Sequence, residues 1–189
     1  MTVAHVLGCQ SEVNVRDRDD YFSTPEECTY AFYKHEGFNI PLKVWEPCSG
    51  TGAISKILIE AGHEVIETDL IDRGRSEVTS RVDFLMEPFP LATAIVTNPP
   101  FYLAEEFIIR AELIGIEYMA LLLKADFLNS SRRYEIFHNI WRPARILALS
   151  WRPDFMGQGS PPMNCSWYIF DGKKNLSTTF SVIGKPNEY

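Results

Sequence analysis

The chain has 189 residues, of which 25 are acidic and 18 basic, for a formal net charge of −7. At 46% hydrophobic and 23% charged it has the composition of one globular domain and not of a disordered chain, and no apolar run approaches the roughly 18–20 residues of a membrane span. Cys9, Cys28, Cys48 and Cys165 are scattered without a Cys-x-x-Cys pair, which argues against a disulfide framework or structural zinc and for a cytoplasmic setting.

Residues 1–20 mix charges without periodicity and are expected to form a flexible arm, with a single domain over 21–189. Thr24-Pro-Glu-Glu27 predicts a helix start with Thr24 as N-cap, Pro25 in the first turn and Glu27 completing a capping box. Gly37 closes that helix. Lys43–Glu46 reads as a strand, and Ile54, Ile57, Leu58 and Ala61 as a helical stripe ended by Gly62. Glu64–Asp69 is a second strand and Arg81–Phe84 a brief third. Ala92–Thr97 is small or apolar almost throughout, as a strand buried on both faces should be. Leu103, Phe107, Ala111 and Ile114 share one face of a following helix, with Glu105, Glu106 and Glu112 turned outward. Glu117–Leu123 is a further strand and Ser130–Asn139 a helix; Arg145–Ser150 and Trp167–Phe170 are strands, with a possible last one over Thr178–Ile183. Strands alternating with helices predict a mostly parallel sheet covered on both faces, with ligands beyond the carboxyl ends of the strands.

Chemistry is concentrated at those ends. Glu46-Pro-Cys-Ser-Gly-Thr-Gly52 places a carboxylate at a strand end, then two glycines that allow close approach of a ligand. It lacks the Gly-Lys-Ser/Thr of a phosphate loop and the third glycine of the dinucleotide pattern. Asp69 ends the next strand near the spacing expected of an acid that binds ribose hydroxyls. Asn98 then runs into Pro99-Pro100-Phe101, and the prolines hold Asn98 and Pro99 extended. The Asn98 side-chain oxygen and the Pro99 carbonyl become two acceptors on a stiff frame beside an aromatic plate, which suits a planar –NH2 group. Cys48 is expected to pack and not to react. His5, His35, His63 and His138 show no ligand spacing, so no metal site is expected.

Over roughly residues 21–170 the sequence resembles the class I S-adenosylmethionine-dependent methyltransferases. It is most similar to the amino-methyltransferases with an Asn/Asp-Pro-Pro-aromatic signature, which include the adenine-N6 DNA enzymes. The resemblance rests on Tyr21-Phe-Ser-Thr-Pro25, the Glu46–Gly52 loop, Asp69, Asp83-Phe84 and Asn98-Pro-Pro-Phe101. It implies a Rossmann-like α/β fold: a mostly parallel seven-stranded sheet with helices on both faces and an antiparallel late strand. It also implies S-adenosyl-L-methionine as cofactor, held by Tyr21, Thr24, Pro25, Glu46, Pro47, Cys48, Gly50, Gly52, Asp69, Leu70, Asp83, Phe84 and Asn98. Asn98, Pro99, Pro100 and Phe101 are the implied catalytic residues.

The expected activity is methyl transfer to an exocyclic amine, first of all N6 of adenine in DNA. RNA adenine-N6 and protein glutamine-N5 methylation are the alternatives, although the glutamine enzymes typically carry Tyr where this chain has Phe101. A non-catalytic cofactor-binding subunit is a third reading, against which the intact signature speaks. Lys124, Arg132, Arg133, Arg142 and Arg152 are candidates for a phosphate track. The Gly/Pro-rich loop Trp151–Pro162 is a candidate cover for a flipped base, with Trp151, Phe155 or Met156 as its wall. Strands and connections use the remaining length, so no separate target-recognition domain is expected, which suits a phage or prophage type.

Overall fold

The computed structural model describes residues 23–159, 161–172 and 177–186. The arm expected over residues 1–20, and Tyr21, lie outside the described residues. Helix α1 spans Glu26–Glu36, and its cap is Pro25, with φ −57° and no side-chain hydrogen bond. This corrects the expectation that Thr24 caps the helix. One residue further out, Thr24 turns its hydroxyl to Asn98 instead. Glu26 and Glu27 in the first turn still complement the helix dipole.

Strands and helices then alternate as β1 (Lys43–Glu46), α2 (Ala53–Glu60), β2 (Glu64–Asp69), β3 (Thr79–Ser80), β4 (Ala94–Thr97) and α3 (Ala104–Leu113). β5 (Tyr118–Lys124), α4 (Ser131–Asn139), β6 (Arg145–Leu149), β7 (Cys165–Asp171) and β8 (Thr179–Ile183) follow. The strands form one sheet in the order β3-β2-β1-β4-β5-β7-β6-β8. β7 is antiparallel to both of its neighbours, and every other pairing is parallel. The possible last strand is present as β8 along β6, so the sheet has eight strands among the described residues where seven were expected.

The third strand is displaced from its expected place. It is Thr79–Ser80; Arg81 takes φ 63°, and the chain leaves the sheet after Val82 N–H donates to the Asp69 carbonyl of β2 at 3.1 Å. Asp83 then accepts the Leu85 N–H at 3.0 Å and starts a 3-10 turn over Phe84–Met86. A short acidic side chain here competes with the strand ladder for a backbone donor.

β4 and β5 are buried on both faces, as their near-continuous apolar sequence requires. On one face Ala31 and Phe32 of α1 and Ile54 and Leu58 of α2 pack with Val96, Leu122 and Trp167. Phe32 stacks on Trp167 at 4.3 Å. On the other face Phe107 and Ile108 of α3 and Ile136 of α4 pack with Trp45, Ile95 and Phe170. Burying each such side chain contributes about 1.5–3 kcal/mol. At the far end of α1, the buried Glu36 carboxylate takes Arg145 of β6 through two hydrogen bonds of 2.8 and 3.0 Å. That clamp fixes α1 against the sheet and thereby holds Thr24 over the ends of β1 and β4. Strand order reverses between β1 and β4, which opens a crevice at their carboxyl ends. No helix among the described residues is long and apolar enough to cross a membrane.

Candidate active site

β1 ends on Glu46, which is 2% exposed and accepts a hydrogen bond from the Ser55 hydroxyl. Burial pushes the Glu46 carboxyl well above the usual carboxylate range; the Ser55 bond pulls it back and nearby Glu67 adds to the rise. The chain then turns through Gly50 (φ 53°) and Gly52 (φ 80°), left-handed conformations that explain glycine at both positions. Asp69, at the end of β2, clamps this turn: Gly50 N–H donates to one carboxylate oxygen and Ile71 N–H to the other, each at 2.8 Å. Each oxygen keeps lone-pair capacity toward the cleft that Asp69 lines.

Arg75 takes the close approach that Gly52 permits. Its guanidinium would lie 2.5 Å from a Cβ at Gly52, and it pairs with Glu67 at 2.7 Å and Glu77 at 3.0 Å. The loop is therefore braced by protein on that side. Cys48 lines the cleft, with a thiol pushed up by burial, and Pro47 is buried. Ser23 and Thr51 join their hydroxyls at 3.1 Å, tying the segment before α1 to the loop.

At the end of β4 the Asn98 amide donates to Thr24 Oγ1 at 3.1 Å. This bond uses the amino side of the amide and leaves Oδ1 without a donor among the described residues. Pro100 is extended (φ −53°, ψ 124°), and its carbonyl accepts Leu103 N–H at 2.9 Å; the Pro99 carbonyl has no donor among the described residues. Phe101 meets Phe155 edge to face at 6.5 Å, and the Lys124 ammonium stands 5.7 Å from its ring centroid.

One cleft thus brings together Thr24, Glu46, Cys48, Asp69, Leu70 and the Asn98–Phe101 segment. Pro25, Gly52 and Phe155 line an adjoining cleft, with Lys56 and Asp154. Asp83 and Phe84 line neither: Asp83 caps its 3-10 turn, and Phe84 is a core residue stacked on Phe107 at 4.6 Å. The expected phosphate track is largely engaged elsewhere. Glu105, expected to face outward, accepts from Arg132 at 2.6 Å and from Arg133 at 2.9 Å. Arg142 contacts His138, and Arg152 donates to Asn164. Trp151 packs against the core of the α1 face. Two residues were not singled out from sequence: Tyr102, 65% exposed beside Phe101, and Arg75 over Gly52. Adjacency to the signature is the signal that Tyr102 carried; Arg75 had none.

No family model and no curated protein matches the chain. Its fold is nevertheless similar to solved methyltransferase structures. One, named as an RNA methyltransferase from Pyrococcus horikoshii, is 15% identical, with a TM-score of 0.63 over 82% of this chain and 88% of its own. Another is the methyltransferase subunit of a type I restriction-modification system from Streptococcus thermophilus, 12% identical, with a TM-score of 0.61 over 85% of this chain. The match spans only 47% of that subunit's length. A third is 1,6-didemethyltoxoflavin-N1-methyltransferase from Burkholderia thailandensis, holding S-adenosylhomocysteine, 10% identical with a TM-score of 0.53 over 80% of each chain. At these identities the likeness is one of fold: the chain has the Rossmann-like methyltransferase architecture.

Proposed function

We propose that the cleft binds S-adenosylmethionine and that the chain transfers its methyl group to an exocyclic amine, N6 of adenine in DNA. The observation that carries this reading is the pair of open acceptors, Asn98 Oδ1 and Pro99 O, beside the Phe101 ring, with the Asn98 amide oriented by Thr24. The donor set fits the cofactor. Asp69 offers a carboxylate to ribose hydroxyls, and Glu46 adds a second acidic group at the neighbouring strand end. A cofactor of this class was present in the structurally similar Burkholderia enzyme.

When bound, S-adenosylmethionine supplies the electrophilic methyl group. The chain's own residues position and activate the nucleophile. An aromatic amine is weakly nucleophilic because its lone pair is delocalised into the ring. Asn98 Oδ1 and the Pro99 carbonyl each accept one amine hydrogen, favouring a more tetrahedral nitrogen with its lone pair free. Phe101 stacks the ring, and the remaining contribution is orientation. The proton is lost only after alkylation has made the nitrogen acidic, so no general base is required beside it. A base within a duplex would first be flipped out, at a cost of a few kcal/mol.

Adenine in RNA is the second reading, favoured by the likeness to the Pyrococcus protein over most of its length. Incubation with methyl-labelled cofactor and, separately, duplex DNA, single-stranded DNA, RNA and protein tests both. Label recovered as N6-methyladenine from DNA is expected. Label in RNA would shift the substrate, and label in no polymer despite bound cofactor would overturn the proposal.

A further inference from the structure

Phe101 and Tyr102 line a third cleft as well as the first; its other walls include Lys124, Asp126 and Asn129, at and just beyond the carboxyl end of β5, and Arg133 of α4. Lys124 has an exposed side chain on a fixed backbone. The Tyr168 hydroxyl is shared between the carbonyls of Lys124 (3.2 Å) and Ala125 (3.0 Å), and Ala125 N–H donates to Asn164 O at 2.9 Å. Arg133, in the same cleft, is engaged by Glu105, by the Phe127 carbonyl at 3.0 Å and by the Phe127 ring at 4.4 Å. Of Lys124, Arg132, Arg133, Arg142 and Arg152, only Lys124 has no acidic or hydrogen-bonding side-chain partner among the described residues; its ammonium instead faces Phe101. Tyr102 presents an exposed aromatic ring beside it.

An exposed ring next to a cation on a fixed backbone, held by an aromatic face and by no acidic partner among the described residues, is the minimal platform for one nucleotide of a single strand: the base stacks and the phosphate meets the charge. We infer that this third cleft holds the nucleotide adjacent to the target adenine, its base on Tyr102 and its phosphate against Lys124. The inference rests on reading the first cleft as a nucleic-acid methyl-transfer site. Asp126, a carboxylate in the same cleft, opposes an accumulation of phosphates there. A chain of net charge −7 thereby holds a polyanion by local contact and not by a basic surface.

The test is fluorescence anisotropy with a labelled single-stranded oligodeoxynucleotide containing one adenine, with S-adenosylhomocysteine present. Lys124→Met and Tyr102→Ala should each weaken binding by about 10-fold. Lys124→Met should also reduce the slope of log affinity against log salt by about 0.7, the value of one phosphate contact on a single strand. A neutral methylphosphonate beside the adenine should reproduce the Lys124→Met loss in wild-type protein and add nothing in the variant. Unchanged affinity and slope, with methyl transfer to DNA intact, would overturn the inference and leave the proposed function standing. Failure of wild-type protein to bind any oligonucleotide, with the cofactor analogue bound, would overturn both.

Discussion

The two sides of the cleft differ in how their polar atoms are engaged. On the β1–β2 side most of the polar groups already hold protein partners: Asp69 holds two backbone N–H groups, Glu46 takes the Ser55 hydroxyl, and Arg75 covers Gly52, while the buried Ser49 hydroxyl has no partner among the described residues. On the β4–β5 side, Asn98 donates through its amino group, and the Asn98 and Pro99 oxygens have no donor among the described residues. The first arrangement fixes geometry without help from a ligand. The second keeps acceptors in place for hydrogen bonds that form only when a donor arrives, which is how a preorganised site favours a reacting group.

The largest effect is expected where that contrast is sharpest. Asn98→Ala should lower methyl transfer by about 10²–10³-fold, the cost of removing one oriented polar group from a reaction site. Thermal stability should be close to wild type. Single-turnover assays on the variant check this, and near-normal turnover would break the distinction between the two sides.

Asp69→Ala strikes the closed side and should act on structure as well as binding. Gly50 and Ile71 lose a charged acceptor, worth about 1.5–3 kcal/mol per hydrogen bond, so both melting temperature and cofactor affinity should fall. Unchanged cofactor affinity would remove Asp69 from the site.

The smallest effect sharpens the comparison through pH. Burial raises the Glu46 pKa in the folded state, so the native protein binds the proton more tightly than the unfolded chain. The Glu46 contribution to stability is thus full below the ordinary carboxylate range and declines as pH rises through the raised folded value. Glu46→Gln should flatten that decline in melting temperature. An identical pH profile in the variant would show that Glu46 does not titrate across this range.

Much of the open side was legible in the sequence because its chemistry is local. Asn98-Pro-Pro-Phe101 dictates its own backbone, and β4 announces itself by an unbroken run of small and apolar residues. What escaped depends on partners distant in the chain. Thr24 reads as a helix cap until Asn98, 74 residues away, claims its hydroxyl. Arg132 and Arg133 read as a free basic pair until Glu105, 28 residues from Arg133, engages both. Gly52 reads as a ligand cradle, yet the guanidinium above it belongs to Arg75. The Arg81–Phe84 strand failed for local reasons: Arg81 takes a positive φ, and the Asp83 side chain captures the Leu85 N–H to start a 3-10 turn.

Calorimetric titration of S-adenosylmethionine into wild-type and Asn98→Ala protein tests most directly whether one side of the cleft holds the cofactor and the other directs the chemistry. The account predicts one-to-one binding to both, with affinities within a few-fold, and methyl transfer by the wild type alone. Absence of binding to the wild type, or its loss in Asn98→Ala, would contradict it.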